Sequence, residues 1–372
     1  MTYSYAKLGD IATYINGYAF KPKDHGTKGL PIIRIQDLTG SSNDRGYYAG
    51  EYPSKIEINN GDVLISWSAS LGVYVWNKGK ALLNQHIFKV KFDKKDIDKD
   101  YFVYAVRFNL TKLKQLTHGA TMKHVVKKDF ENVLIPYPSL KRQREIAYVL
   151  DKIERNLTQK SQELDKLDEL IKARFVEMFG DLKFDTSLSF YVNSLVAGKS
   201  LAGKQESPNK VLNTGAVSYD YFRNDSKNLP LDYVPLEKNQ IQTSDLLISR
   251  MNTQELVGAV AYVWEAPKHT YLPDRLWKAK LKDNVNPIFI WQALIYPLSK
   301  IQIRRMATGT SGSMKNISKN NFLAVKIPYA KIQKQNEFAN FVQQVDKSKV
   351  AVQKSLEETQ TLFDSLMQKY FG

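Results

Sequence analysis

The chain of 372 residues has no cysteine and no apolar run long enough to cross a membrane. Without cysteine it can form neither a disulfide nor a thiolate metal site. The opening residues MTYSYAKLGD lack the basic and apolar stretches of a signal peptide. A membrane helix would need about 20 consecutive apolar residues. We therefore expect a cytoplasmic protein with no membrane contact.

Catalytic motifs are missing as well. The sequence has no Asn-Pro-Pro-aromatic motif of an adenine methyltransferase. It also has no complete phosphate-binding motif, in which Gly-x-x-x-x-Gly-Lys is followed by Ser or Thr. The five histidines are scattered, and no His and carboxylate cluster has metal-ligand spacing. We expect a protein that is not an enzyme and holds no metal or cofactor.

What the chain does contain is a copy of itself. Residues 122–180 align with residues 314–372 at a constant offset of 192, without a gap. The register is marked by Phe130 over Phe322 and by Gln143 over Gln335, with Ile-Pro-Tyr preceding each glutamine. A duplication of this kind predicts two similar halves related by a pseudo-twofold axis.

The likeness extends upstream through short apolar runs of strand type. Residues 62–66 resemble 245–249, residues 72–76 resemble 259–264, and residues 86–91 resemble 275–280. Each repeat is therefore predicted to be a globular part made of short strands, followed by one long helix. The predicted fold class is α/β (mixed α+β), with globular domains at 1–138 and 181–330 and helices at 139–180 and 331–372.

Each predicted helix carries a narrow apolar seam. Positions stepping alternately by three and four from Gln143 are apolar in eight of eleven cases, and so are those from Gln335. This 3.5-residue period is typical of a coiled coil, so we predict that the two helices form one long antiparallel pair between the globular domains. The alternatives are that each helix packs on its own domain or pairs with a second chain.

The positive charge is divided evenly between the two globular parts. Residues 1–138 hold 20 Lys and Arg against 13 Asp and Glu, and residues 181–330 hold 19 against 12, out of a net charge of +16. The two helix segments are close to neutral. Equal excesses on two duplicated domains favour a polyanion held at two places, and nucleic acid fits this pattern best.

The junction between globular part and helix resembles a known family. Residues 119–125 (GATMKHV), 128–130 (KDF), 135–140 (IPYPSL) and 143–147 (QREIA) are similar to the junction in specificity subunits of type I restriction-modification systems. The opening Leu-Gly-Asp-Ile at 8–11 is similar to the start of their target-recognition domains. The resemblance covers the whole chain in the order domain, helix, domain, helix.

This resemblance implies a non-catalytic subunit that reads double-stranded DNA. The two target-recognition domains would each read one half of a bipartite site, and the helices would set the gap. The helices would also dock methyltransferase (M) subunits, two of them, and restriction (R) subunits would join through the M subunits. The second repeat departs from the pattern, because Ala330 replaces Pro138 and residues 194–201 contain no Leu-Gly-Asp-Ile opening.

Candidate DNA contacts follow from charge, side-chain geometry and repeat position. Basic side chains suited to phosphate are Lys21, Lys23, Lys127, Lys128, Arg304 and Arg305. Two Gly-, Thr- and Ser-rich segments, 119–123 and 309–316, are predicted to be phosphate-holding loops that contain Lys123, Lys315 and Asn316. A plain turn is the alternative for both.

Side chains able to reach base edges are Gln85, His86 and Arg275, although each also fits an ordinary loop position. Trp67 and Arg250 follow the two matching Leu-Ile-Ser strands. For Trp67 a place in the core is the alternative to stacking, whereas a surface contact is favoured for Arg250.

Two other functions fit the same sequence. One is a stand-alone DNA-binding or anti-restriction protein of this shape. The other is a structural tether whose basic domains bind RNA or an acidic protein.

Overall fold

The computed structural model describes residues 4–41, 45–68, 70–116, 126–311 and 314–372. The chain divides into two compact units. Unit 1 is Met1–Ser161 with Lys354–Gly372, and unit 2 is Gln162–Gln353. The predicted division at 138, 180 and 330 follows the order of secondary structure, whereas these units follow packing and take half of each long helix.

The described part of unit 1 combines short strands with helices of very different length. Its strands are β1 Tyr5–Lys7, β2 Thr13–Asn16, β3 Leu30–Ile33, β4 Tyr47–Tyr48, β5 Glu57–Ile58, β6 Val63–Ser66, β7 Gly72–Val75, β8 Ala81–Leu83, β9 Ile87–Lys91 and β10 Leu134–Pro136. Its helices are α1 Leu8–Ile11, α2 Ile35–Thr39, α3 Lys99–Leu116, α4 Lys127–Glu131 and the long α5 Leu140–Phe179, which continues into unit 2.

Unit 2 has the same kinds of element. Its strands are β11 Thr186–Ser187, β12 Val192–Ala197, β13 Lys210–Leu212, β14 Ser226–Asn228, β15 Leu246–Ser249, β16 Met251–Asn252, β17 Val260–Tyr262, β18 Thr270–Tyr271, β19 Leu276–Leu281, β20 Thr308–Ser311, β21 Met314–Asn316 and β22 Lys326–Ile327. Its helices are α6 Pro287–Ile295, α7 Pro297–Met306, α8 Lys319–Leu323 and the long α9 Ile332–Phe371, which ends in unit 1.

The two units repeat one strand order. The antiparallel sheet β2-β9-β6-β7 of unit 1 corresponds to β12-β19-β15-β17 of unit 2. The second sheet, β4-β3-β8-β5, corresponds to β14-β13-β18, and each contains one parallel pair, β3 with β8 and β13 with β18. The mixed α/β fold and the repeat predicted from the sequence are therefore confirmed.

The second repeat begins ahead of residues 194–201, where its opening was expected. β1 pairs with β10, and β11 pairs with β22 in the same way. The amide of Leu8 donates to the carbonyl of Val133 at 2.9 Å, and the amide of Leu188 donates to that of Val325 at 2.8 Å. The counterpart of Leu-Gly-Asp-Ile is thus Leu-Ser-Phe-Tyr at 188–191, whereas residues 194–201, where the opening was expected, already belong to β12 and the loop after it.

The prediction of strands followed by one long helix was incomplete. α3 lies between the strands and α5, and α6 and α7 occupy the same place in the second repeat. The apolar run of residues 101–106 looks like a strand, yet it is the buried part of α3. A start signal was present in the second repeat, since the side chain of Asn286 caps α6 by accepting from the Ile288 amide at 3.0 Å, and Pro287 follows it.

In unit 1 the first half of α5 and the last part of α9 run antiparallel. Arg142 lies over the ring of Tyr370 at 5.8 Å, and Lys160 donates to the hydroxyl of Ser355 at 2.7 Å. Residues of increasing number along α5 therefore contact residues of decreasing number along α9. The apolar side chains of this pair also join the core of the unit, which includes Leu150.

In unit 2 the remaining halves pair in the same sense. Arg174 binds Glu337 at 2.9 Å and Asp168 binds Lys349 at 2.5 Å. Every position of both predicted seams is buried or half-buried, whereas most flanking positions are exposed. The predicted antiparallel pairing within the chain is confirmed in each unit. The alternative that each helix packs on its own domain is also partly correct, because the N-terminal part of each helix joins the core of its own unit, as Leu150 does in unit 1 and Phe338 does in unit 2.

A buried glutamine fixes the start of each long helix. The Gln143 side chain accepts from the Asp98 amide at 2.8 Å and donates to the Pro138 carbonyl at 2.9 Å. Gln335 makes the same two bonds in unit 2, with the Asn286 amide at 2.9 Å and the Ala330 carbonyl at 2.7 Å. Both glutamines were predicted as seam positions, and each also bonds its helix to the residue just before α3 in unit 1 or α6 in unit 2.

We predict that Gln335→Ala destabilises unit 2 by about 1–3 kcal/mol, because a buried amide and a buried carbonyl lose their partner. The free energy of unfolding, measured with denaturant, checks this value. Gln344→Ala on the exposed side of the same helix is the matched control. Equal losses in the two variants would contradict the assigned role of Gln335.

Candidate nucleic-acid interface

The end of β6 in unit 1 brings three of the predicted side chains together. Trp67 follows β6 directly, and its amide donates to the carbonyl of His86 at 3.3 Å. The Trp67 ring lies 5.2 Å from the ring of His86 and stacks on Phe88 at 5.6 Å. Trp67 is half-buried against the core, whereas Gln85 and His86 are exposed. The core alternative for Trp67 is therefore partly met, since one part of the ring packs inward.

The end of β15 in unit 2 has the same backbone geometry and different side chains. The amide of Arg250 donates to the carbonyl of Arg275 at 3.1 Å. The Arg250 guanidinium lies over the ring of Trp277 at 5.8 Å. Arg250 is half-buried and Arg275 is exposed. Arg250, Arg275 and Trp277 thus occupy the places of Trp67, His86 and Phe88.

A three-stranded ribbon adjoins the unit 2 strand end. β16 pairs with β21, so that Met251 faces Asn316 and Asn252 faces Lys315, and the Ile317 amide donates to the Arg250 carbonyl at 3.0 Å. The prediction of a loop at 309–316 was wrong, because the backbone of residues 314–316 pairs as a strand. Strand pairing leaves these amides less available to phosphate.

The side chains on this strand are partly occupied. Lys315 donates to the carbonyl of Gly309 at 2.7 Å, while the side-chain oxygen of Asn316 is buried without a hydrogen-bond partner among the described residues. Arg250, Arg275, Lys315 and Asn316 are therefore neighbours in unit 2. The first-repeat segment 119–123, with Lys123, lies outside the described residues.

The other predicted basic residues differ in their surroundings. Lys21, Lys23, Lys128 and Arg305 are exposed. Lys127 donates to the carbonyl of Tyr14 at 2.7 Å, and Arg304 donates to that of Glu255 at 3.0 Å. Burial, with a smaller effect of Glu131, raises the pKa of Tyr14 far above its ordinary value, so its phenol stays neutral.

Sequence reasoning missed a pair of lysines that serve the scaffold. Lys89 pairs with Asp62 at 2.9 Å, and Lys278 pairs with Asp245 at 3.1 Å. Each lysine also donates at 2.7 Å to a carbonyl ahead of β6 or β15. Lys278 is only 1% exposed. These lysines stabilise the sheets through ion pairs and hydrogen bonds. They stand at matching positions of β9 and β19, and this match was the signal that could have revealed them.

Residues 198–204 match Gly-x-x-x-x-Gly-Lys, but Gln205 follows instead of Ser or Thr. They lie between β12 and β13, with no helix after them. The amides of Gly198 and Gly203 donate to the carbonyls of Pro273 and Asn228, so this segment does not cradle a phosphate as a P-loop does.

No group of three or more His, Cys, Asp and Glu residues in the described ranges is placed to hold a metal ion. None of the helices in the described part of the chain is long and apolar enough to span a membrane.

Comparison with known proteins gives one consistent family. The model of the type I restriction modification DNA specificity domain matches residues 2–169 and 199–359. The EcoBI specificity subunit of Escherichia coli is 26% identical over 167 residues, which are 44% of this chain and 35% of the relative. The MjaVIII specificity subunit of Methanocaldococcus jannaschii is 28% identical over 125 residues, which are 34% and 29%. The matched part of this chain thus spans about a third of these two relatives.

A solved structure extends the likeness to the whole fold. The type I restriction-modification S subunit from M. genitalium has a TM-score of 0.63 at 16% identity, with 100% of this chain and 96% of that chain covered. Identity at this level supports the fold alone. Because the family model covers most of the sequence in two segments, one for each repeat, the chain belongs to the type I restriction-modification DNA specificity family.

Proposed function

We propose that this chain is the DNA-reading subunit of a type I restriction-modification complex, with each repeat reading one half of a bipartite duplex site. The observation that carries this proposal is the pair of strand ends. The same scaffold presents Trp67 and His86 in unit 1 and Arg250 and Arg275 in unit 2. One backbone with two sets of side chains is suited to reading two different short sequences.

The charge distribution supports duplex DNA as the ligand. The globular part of each repeat carries an excess of seven positive charges, and Lys21, Lys23, Lys128 and Arg305 are exposed. Lysines at the surface neutralise phosphates and position a protein without reading sequence. Base edges are left to the residues at the strand ends.

We further propose that the two helices set the spacer and carry the methyltransferase subunits. Each helix contributes residues to both units, so a change in its length acts on both. Exposed apolar side chains on the helices, Tyr148, Val176, Val350 and Leu362, are available to a partner. Two methyltransferase subunits, one for each repeat, would match the duplication, and restriction subunits would bind through them.

The affinity for duplex DNA should fall steeply with salt. Each neutralised phosphate contributes about −0.9 to the slope of log K against log salt concentration. We expect Lys128→Ala to weaken binding to all sequences alike, and the exposed Arg275→Ala to relax the preference at one base pair. Titration of the full chain with duplexes at several salt concentrations measures both effects. An affinity that hardly depends on salt would contradict the electrostatic part of the proposal.

The two repeats should be exchangeable. Replacing residues 1–138 with the corresponding part of another family member should change one half-site and leave the other intact, because each strand end belongs to its own unit. Selection of bound duplexes from a randomised pool identifies both half-sites of the hybrid, with the parent chain as control. If both half-sites change, the two repeats read one sequence together.

A longer helix pair should lengthen the preferred spacer. One heptad inserted after Ser161 in α5 and another after Gln353 in α9 both fall at the boundary between the units and keep the seam in phase. Seven residues add about 10 Å, which is roughly three base pairs of duplex. Selection from duplexes with spacers of random length measures the change. A heptad in α5 alone is the mismatched control, and an unchanged spacer in the double insertion would show that the helices do not set it.

A further inference from the structure

An exposed arginine in unit 2 contacts two tyrosine rings. The Arg223 guanidinium lies 5.1 Å from the ring centre of Tyr219 and 4.5 Å from that of Tyr221. Tyr219 is 63% exposed and Tyr221 is 48% exposed. Arg223 is exposed as well and forms no ion pair with a carboxylate among the described residues. Contact with two rings restricts the rotamers of this exposed side chain.

The backbone under this cluster is strained. Tyr219 and Asp220 have φ angles of +67° and +66°, in the left-handed region that side chains disfavour. Unit 1 has a glycine at the matching place. Leu212 ends β13 as Ile33 ends β3, and Gly40, with φ +73°, stands seven residues after Ile33 as Tyr219 stands seven after Leu212. Glycine makes this turn without strain, so the turn itself does not require tyrosine.

A partly buried ion pair holds the strained turn in place. The Asp220 carboxylate accepts from the Val260 amide at 2.9 Å and pairs with the ammonium group of Lys300. Lys300 is 8% exposed and also donates to the Gly258 carbonyl at 3.2 Å. The indole of Trp291 donates to the Asp220 carbonyl at 3.0 Å. Strained backbone persists when several bonds fix it in this way, and such strain clusters at functional sites.

The cluster adjoins the strand end already described. Asp220 is bonded to Val260 at the start of β17, and Val260 faces Ile248 of β15, two residues before Arg250. The amide of Gly258 donates to the carbonyl of Ser249 at 2.7 Å. The loop of Arg223 therefore meets the same end of the sheet as Arg250 and Arg275. This position favours the ligand that those arginines would contact over a separate protein partner.

We propose that Arg223 reads a guanine of duplex DNA, with Tyr219 and Tyr221 acting as positioning residues that orient its guanidinium. The inference rests on the proposed DNA-reading function. The planar fork of arginine matches the O6 and N7 acceptors of guanine in the major groove. Stacking restricts its rotamers before binding, so less conformational freedom is lost in the complex. Lysine carries the same charge without the planar fork.

Two variants distinguish a contact to a base from a purely electrostatic effect and from a loss of folding. Arg223→Lys keeps the charge, and we expect the preference for guanine at one position to relax by about 5- to 100-fold while binding to random duplex stays near that of the parent. Tyr219→Gly removes one ring and relieves the strain, as Gly40 does in unit 1. We expect its melting temperature to be equal or higher and its guanine preference to be weaker.

The measurement is selection of bound duplexes from a randomised pool by the full-length chain, followed by sequencing, with thermal unfolding of each variant. Lys238→Ala, an exposed lysine ahead of the opposite end of β15, is the control for loss of a charge and should leave the selected motif unchanged. Loss of guanine preference at the same position in both variants, with folding retained, supports the inference.

Three results overturn it. If the parent selects a motif and both variants select the same one, Arg223 does not read a base, and the DNA-reading function stands. If both variants weaken all sequences equally, Arg223 contacts phosphate. If the parent enriches no motif, the DNA-reading function fails and the inference fails with it, and binding of a polyglutamate probe that depends on Arg223 would then identify an acidic protein as the ligand class.

Discussion

The arrangement of each unit depends on one buried side chain at the start of its long helix. Gln143 and Gln335 each accept from the backbone amide just before α3 or α6 and donate to a carbonyl just before their own helix. Because a buried amide side chain is costly to leave unbonded, these bonds hold the long helix against the start of α3 or α6. α3 packs against β7 and α6 packs against β17, so each long helix is linked to the sheet that carries Trp67 or Arg250 at a strand end.

The sequence predicted the parts of the fold that depend on periodicity. The gapless offset of 192 and the 3.5-residue seam located α5, α9 and their antiparallel pairing, because a narrow apolar stripe requires a helical partner. α3 was missed because an apolar run of six residues fits a buried helix as well as a strand. The start of the second globular part at Thr186 was missed because it is defined by backbone pairing of β11 with β22 and not by side-chain identity.

The candidate interface was less predictable for a physical reason. Repeat position matched Trp67 with Arg250 and His86 with Arg275, since these residues flank matching strands. It did not predict that Trp67 would lie beside His86, or Arg250 beside Arg275. The side chains that come together beyond the strand ends depend on the backbone conformation of the loops, which the sequence pattern does not show. Tyr219 corresponds to Gly40 because both stand seven residues after matching strands, β13 and β3. The local sequences of the two loops do not reveal this correspondence. The two repeats share one scaffold and differ in the residues at the strand ends, so the proposed base contacts differ while the fold is the same.

The most direct test of the account is a map of methylated adenines in a host with and without this chain, in the presence of its methyltransferase. The account predicts methylation that depends on the chain, at a site of two short defined sequences separated by a spacer of fixed length and free sequence. Methylation at a single uninterrupted sequence, or a map that does not change when the chain is removed, would contradict it.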